Sequence, residues 1–375
     1  MMQETKILNS LDYIPREVCG ARDYERLAPQ FIPADRLAYI ANGSGEDVTL
    51  RRNQKSFEQF ALVPRNLRCT KQGSTETTLF GKSHQHPFLL APVAYHKLVY
   101  ADAELATCHA VDSMETGLIS STLASVRLED TAPKIDADRR WFQLYVQDSE
   151  ALTFEILKRA LDNNYQAIVV TLDTALQEPS HQTIRSGFKL PEDIQALNLE
   201  GQLNNQPLNQ TRNTQQSIFQ QRHQKFVSPE LLKKVIDISP VPVLAKGVLS
   251  PEEAIELKAL GLAGIVVSNH GGRTMDGSPS SLSVLPKVRQ AVGNDYPVLL
   301  DGGIRSGSDI FTSIASGADA VLIGRLQIYA LSVAGALGVA HMIKLLKQEL
   351  EYTMAMTGCR NIQDIRESHL LKVQE

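Results

Sequence analysis

The sequence predicts an α/β fold of the (β/α)8 type, a TIM barrel, with an N-terminal helical extension and a long loop after strand 4. Three observations predict it. Short apolar or β-branched runs alternate with stretches of helical periodicity eight times over residues 86–350. Nearly every run ends on a polar or charged residue, as strands do when their C-terminal ends share one mouth. No GxGxxG follows an early strand, which disfavours the runner-up, an open doubly wound sheet.

Taken in order, residues 1–35 carry Pro15, Pro29 and Pro33 and predict an extension of short helices. Tyr39, followed by Gly43, Gly45, Glu46 and Asp47, marks a helix end and a turn. The first strand spans 86–94 and runs into Pro92-Val93-Ala94. A helix over 101–116 follows, with Leu105, Cys108, Val111 and Met114 at helical spacing. The second strand, 118–121, ends on Ser120 and Ser121. In the third, 141–146, Trp141, Gln143 and Tyr145 share one face, and Phe142, Leu144 and Val146 share the other.

A helix over 151–161 leads to the fourth strand, 167–173, which ends with Thr171 and Asp173. The Gln- and Asn-rich segment 175–226 has two readings, a surface insertion or a lid over the mouth. After a helix at 229–238, the fifth strand ends on Lys246-Gly247. Ser250-Pro251-Glu252-Glu253 is a helix start, with a hydroxyl cap, a first-turn proline and two acids facing the dipole. The sixth strand runs into Ser268-Asn269-His270-Gly271-Gly272-Arg273, the seventh into Asp301-Gly302-Gly303-Ile304-Arg305, and the eighth into Gly324-Arg325. Helices are expected at 281–292, at 308–316 and from the eighth strand to about 357, all within one domain spanning 1–375.

Composition narrows the function classes. The 375 residues carry a net charge of −4, so no basic field invites nucleic acid. Cys19, Cys69, Cys108 and Cys359 are scattered without metal-site or disulfide spacing, which predicts buried free thiols and no metal. No signal peptide opens the sequence and no apolar run approaches about 18 residues, so a cytoplasmic protein without membrane attachment is expected.

The rim residues point to chemistry. His270 exchanges protons near neutral pH, and Arg273, three residues on, presents a fork for a carboxylate. The glycines and arginines after the last two strands form the kind of turn in which barrels bind phosphate.

The segments 268–273, 141–145, 246–247, 301–305 and 323–325 together resemble the FMN-dependent 2-hydroxy-acid oxidases and dehydrogenases, the family of glycolate oxidase and lactate oxidase. The resemblance runs from about Tyr39 to Cys359, and it implies bound FMN and oxidation of a 2-hydroxy acid to the 2-oxo acid. It implies that His270 is the base, stabilised by Asp173, and that Arg273 holds the substrate carboxylate with help from Tyr39 and Tyr145. Lys246 would stand beside the flavin where negative charge gathers on reduction. Ser120, Gln143, Thr171 and Ser268 would meet its polar edge, with the backbone at Ala94 beside N5. Gly303, Arg305, Gly324 and Arg325 would cradle the phosphate, with Asp301 near the ribityl chain. A homo-oligomer, tetramer or octamer, is also implied. Whether electrons leave as hydride or through a carbanion stays open. The electron acceptor also stays open, as O2 in an oxidase or a soluble carrier in a dehydrogenase; the absence of a haem-domain sequence leans towards O2.

The pattern breaks after the fourth strand. Where the family carries a second substrate arginine, an ungapped match places Ser180. Loss of one charge-assisted partner costs about 1.5–3 kcal/mol of carboxylate binding. Three readings follow: Arg273 and the tyrosines hold the acid alone, a cation such as His181, Arg185 or Arg212 replaces the missing one, or the substrate is a larger hydroxy compound. An FMN barrel with isomerase chemistry and a non-catalytic barrel are the rival classes.

Overall fold

The computed structural model describes residues 7–200, 217–220 and 226–373. Eight parallel strands close into a barrel: β1 (Phe88–Leu90), β2 (Gly117–Ser121), β3 (Arg140–Leu144), β4 (Ile168–Thr171), β5 (Val243–Val248), β6 (Gly264–Val267), β7 (Val298–Asp301) and β8 (Ala320–Ile323). Sequential strands are neighbours all the way round, and β8 closes on β1 through Val321↔Phe88, Leu322↔Leu89 and Ile323↔Leu90. These strands are buried on both faces, which is why they are continuous apolar runs without alternation.

Strand parity builds two separate cores. Leu89, Ile119, Trp141, Val169, Leu244, Val266, Leu299 and Leu322 fill the barrel interior. Phe88, Leu90, Leu118, Phe142, Leu144, Ile168, Val170 and Ile265 point outward against the helices. A hairpin, Thr77–Leu79 paired with Lys82–His84, stops the floor of the barrel: Phe80 meets Trp141 edge-on at 5.6 Å. The opposite end, at the strand C-termini, is left for polar groups.

Helices Ala103–Ser113, Glu150–Asp162, Pro229–Ile238, Pro251–Leu260, Ser281–Val292 and Gly307–Ala315 return the chain between strands. The β2–β3 return holds a single α-turn, Leu128–Thr131, followed by 3-10 turns. Local chemistry sets the starts. Ser250 caps the helix at Pro251 by accepting from Glu253 N, and Ser306 with Asp309 forms a capping box before Gly307.

The N-terminal extension contributes three helices at the mouth end: Asp23–Leu27 and Ala34–Ala41 bond to the arginines of its rim, and Val48–Glu58 meets it through Asn53. A ribbon of Phe60–Leu62 and Leu370–Lys372 ties the two ends of the chain together.

Three expectations need amending. All four cysteines are free, but Cys19 and Cys69 are exposed; only Cys108 and Cys359 are buried. The helical span Arg325–Thr357, broken at Ala334 and Gly335 where the backbone is not helical, is long and apolar enough to cross a membrane, although 78% of its most apolar window is buried within the fold, as in a core helix. Polar residues such as Gln327 and His341 interrupt it in sequence and hide that length. The segment from 175 to 200 is not a free insertion throughout, because Ile194, Ala196 and Leu199 anchor its C-terminal part against the barrel. Asn198, 1% exposed, accepts from Leu128 N and donates to Ser121 O. Most of 201–225 lies outside the described residues. Gly303 also has a structural reason of its own: at φ 86, an added Cβ would lie 2.4 Å from Asn53 O.

Trp141 is 2% exposed between the floor and the inner core. Its replacement by Ala is expected to lower unfolding free energy by about 3–5 kcal/mol, read from urea denaturation, because no neighbour can collapse into the space.

Candidate active site

Four ionisable side chains converge at the mouth from four strands. His270, just past β6, directs Nδ1 to Asp173 Oδ1 at 3.0 Å. Lys246, in β5, directs Nζ to Ser268 Oγ at 3.0 Å and to Asp301 Oδ2 at 3.3 Å. An ionised carboxylate only accepts, so Nδ1 carries the proton in the His270–Asp173 bond and Nε2 keeps the free lone pair.

Electrostatics set the charge states. Burial pushes the His270 pKa below its ordinary value; the Lys246 charge adds to this, and Asp173 only partly opposes it. The imidazole is therefore neutral, as a base must be. Burial works against charge on Asp173, but His270 and Lys246 outweigh it and hold the carboxyl below the usual range. Burial likewise works against the Lys246 ammonium, yet Asp301 and Asp173 raise its pKa and keep it charged.

A backbone device makes room for this cluster. Gly247 has φ 105, and the β5–β6 register shifts there between Lys246 and Val248. An added Cβ at Gly247 would stand 2.6 Å from Asp173 Cβ. The bulge lets β5 pass the Asp173 side chain while keeping Lys246 inward.

Gln143 (2% exposed) donates from Nε2 to Thr171 Oγ1 at 3.0 Å and accepts at Oε1 from Ser121 Oγ and Thr122 N. Ser121 pairs with Gln143 across the β2–β3 ladder, so it shares the inner face. Ser120 has the opposite parity: its Oγ accepts from Tyr165 OH at 3.4 Å in the helix layer. The sequence-predicted Ser120 is thus directed outward and Ser121 inward.

Arg273 donates from Nη1 to Tyr39 O at 2.7 Å and Asn42 O at 3.1 Å, with its guanidinium 5.0 Å from the Tyr39 ring centroid. Tyr39 stacks on Phe188 at 4.5 Å. Burial, then the nearby Asp173 charge, pushes the Tyr145 pKa well above its ordinary value, so its hydroxyl stays neutral. Tyr95, which no sequence signal marks, belongs to the same group: it has φ 55, is 7% exposed, and adds to the field on Tyr145. Ala94 precedes it in the loop after β1.

Ser180 is a helix cap, its Oγ accepting from Thr183 N at the start of His181–Ser186. The candidate replacements for the missing arginine are engaged elsewhere: His181 and Arg185 both pair with Glu46, at 2.7 and 3.2 Å, in exposed positions. Arg212 lies outside the described residues.

The two rim arginines after β7 and β8 differ. Arg305 is held bidentately by Glu25 at 3.0 and 2.9 Å; burial opposes its charge, but Glu25 wins and raises its pKa. Arg325 has no carboxylate within ion-pairing distance among the described residues. It donates to Ile40 O, Gly271 O and Asn42 O at 2.9, 2.9 and 3.0 Å. Burial, then Arg273, pushes its pKa down to about 10. It follows Gly324, where an added Cβ meets nothing within 4 Å.

Comparison with known proteins agrees with this arrangement. A family model described as FMN-dependent dehydrogenase matches residues 28–372. The chain belongs to the FMN-dependent dehydrogenase family. It is 47% identical to an L-lactate oxidase of Alicycliphilus denitrificans, covering 94% of this chain and 96% of that protein. It is 37% identical to an L-lactate oxidase of Roseobacter sp., covering 92% of each. A mandelate oxidase structure with (S)-2-phenylpropionate superposes with a TM-score of 0.84 at 34% identity, covering 94% of this chain and 97% of that one.

The site fits the family's FMN. Asp301 Oδ1 is buried without a hydrogen-bond partner, and Lys246 is a buried cation beside it. Gly324 borders open space, and the Arg325 charge is bonded by carbonyls, with no carboxylate in ion-pairing distance among the described residues. A phosphate-bearing, hydrogen-bonding group answers each of these features.

Glu25 leaves no trace in a local motif, since it meets Arg305 across 280 positions. Glu25→Gln is expected to lower stability by about 3 kcal/mol, read from thermal or urea unfolding, because it strands a buried guanidinium.

Proposed function

We propose that the chain oxidises an (S)-2-hydroxy acid to the 2-oxo acid as an FMN-dependent oxidase. One observation carries this: a neutral imidazole, oriented by Asp173, shares the mouth with the Arg273 guanidinium. Tyr145 feels Asp173, Tyr39, Arg273 and Tyr95 electrostatically, which puts the acid and the guanidinium beside the same phenol. The oxidase relatives support the reading.

Arg273 binds the carboxylate through the part of its fork that the Tyr39 and Asn42 carbonyls leave free. Tyr39 and Tyr145 hydrogen-bond the carboxylate and the hydroxyl, and Tyr145 stays a donor because its phenol does not ionise. The substrate loses two electrons and two protons: His270 Nε2 takes one proton, and the other passes with the electrons to the acceptor. The Asp173 carboxylate then stabilises the imidazolium and fixes its tautomer. When bound, FMN supplies the two-electron acceptor, which O2 regenerates with release of hydrogen peroxide. Lys246 supplies a fixed positive charge for the reduced flavin, and Ser121, Gln143, Thr171 and Ser268 offer polar contacts. Gly324 and Arg325 would hold the phosphate and Asp301 the ribityl chain, while Arg305 with Gly303 buttresses that rim through Glu25 and the Asn53 backbone carbonyl. A cytoplasmic location and a homo-oligomer, tetramer or octamer, are part of the same proposal, the oligomer on resemblance alone.

With Ser180 as a cap, Arg273 carries the charge recognition of the carboxylate. Ser180→Arg is expected to lower KM for a small 2-hydroxy acid tenfold or more, following the about 1.5–3 kcal/mol of an added charged partner. Steady-state peroxide release checks this; an unchanged KM would show that position 180 does not face the acid.

His270→Ala is expected to keep flavin bound and abolish its reduction in anaerobic mixing with L-lactate, glycolate and longer 2-hydroxy acids. Retained reduction would remove His270 as the base. The sign of the pH dependence follows from the lowered pKa. His270 is neutral, and active, down to a pH below the ordinary value of about 6.5, and activity falls as pH drops through that lowered value. A pH profile of the reduction rate with its acid limb above 6.5 would contradict the assignment.

A further inference from the structure

His270 has φ 56, a left-handed conformation that a non-glycine residue holds only when its surroundings impose it. Gly271 and Gly272 follow at φ 62 and 77, so three successive residues share this unusual backbone. Beside the bonds from Gly272 N to Asn269 O at 2.9 Å and from His270 N to Ser268 Oγ at 3.0 Å, the turn is held by the side chain of Asn269. Its Oδ1 accepts from Gly272 N at 3.0 Å, and its Nδ2 donates to Pro279 O at 2.9 Å, which fixes which end of the amide is which.

The other two valences of that amide go to Asn53. Asn53 Nδ2 donates to Asn269 Oδ1 and Asn269 Nδ2 donates to Asn53 Oδ1, both at 2.8 Å. Asn269 thereby makes all four bonds an amide can make. Both residues are 1% exposed, so bulk water has no ready access to replace either partner. Asn53 comes from the helix Val48–Glu58 in the N-terminal extension, 216 positions away. It also accepts from Ser281 N at 3.4 Å and lies against the Gly302-Gly303 turn. It touches neither Asp173 nor the imidazole.

We infer that Asn53 is a positioning residue for His270: through its reciprocal amide pair with Asn269 it fixes the left-handed turn that delivers the imidazole to Asp173. The inference rests on His270 being the base. Asn53→Asp keeps the shape but cannot donate, which sets an oxygen against Asn269 Oδ1 and frees the amide to rotate. Asn53→Ser, which leaves space for a water molecule, is the second variant.

The test uses the flavin-loaded full chain. Visible absorbance is expected to show the wild-type flavin content in both variants. The anaerobic reduction rate with L-lactate is expected to fall 10- to 100-fold while KM stays within about threefold, and the acid limb of the pH profile is expected to move up towards that of an ordinary histidine. Imidazole 15N shifts, read without substrate, are expected to show the wild type as one Nδ1-protonated tautomer and the variants as a tautomer mixture. A variant that keeps the wild-type rate, pH limb and 15N spectrum overturns the inference. So does loss of flavin or of folding in both variants, which would make Asn53 a packing residue. If no 2-hydroxy acid reduces the wild-type flavin, the assignment of the base fails, while the 15N comparison still decides whether Asn53 orients the imidazole.

Discussion

Closing eight parallel strands brings Asp173, Lys246, His270 and Asp301 into one largely buried mouth, and their mutual neutralisation is the constraint on which the site depends. No charge in this group is sustainable alone at that depth. Two acids flanking two bases around the rim keep the Asp173 carboxylate and the Lys246 ammonium ionised, while the imidazole beside them stays uncharged. The bulge at Gly247 belongs to the same constraint, since a regular β5 would put backbone substituents where Asp173 has to be.

The N-terminal extension is as much a part of the site as the barrel. Carbonyls of Tyr39, Ile40 and Asn42 take the guanidiniums of Arg273 and Arg325, and Glu25 takes that of Arg305. The two glycines after His270 record this packing. An added Cβ at Gly271 would stand 2.6 Å from Arg325 Nη1, and one at Gly272 would stand 2.7 Å from Leu50 N. A glycine pair that looks like a ligand-binding signature is thus required by the protein's own packing.

Much of the architecture is legible in the sequence because its signals are local. Each strand is a continuous apolar run, and polar residues such as Gln143, Lys246 and Asp301 stand where a run meets the mouth. Period-two parity correctly separates Trp141 and Gln143 from Phe142 and Leu144, because only the first pair faces inward. At Ser120 and Ser121, two identical side chains in succession give parity nothing to act on; only the ladder register with β3 tells them apart. Asn53, Glu25 and Tyr95 are illegible for a different reason. Their partners are distant in sequence or gathered by loop conformation, and no spacing rule connects them. The anchoring of 175–200 is obscured by the amide-rich composition of residues 202–225, although Ile194 and Leu199 are apolar signals within it.

Arg325 is solvated by three peptide carbonyls, much as a cation is solvated by a liquid amide. An anion arriving there competes with ligands already in place, so its binding is an exchange equilibrium. Its affinity is the difference between two solvation shells, smaller than the full attraction of opposite charges. The same carbonyls leave no bare charge behind when the anion departs, which makes release compatible with an intact fold.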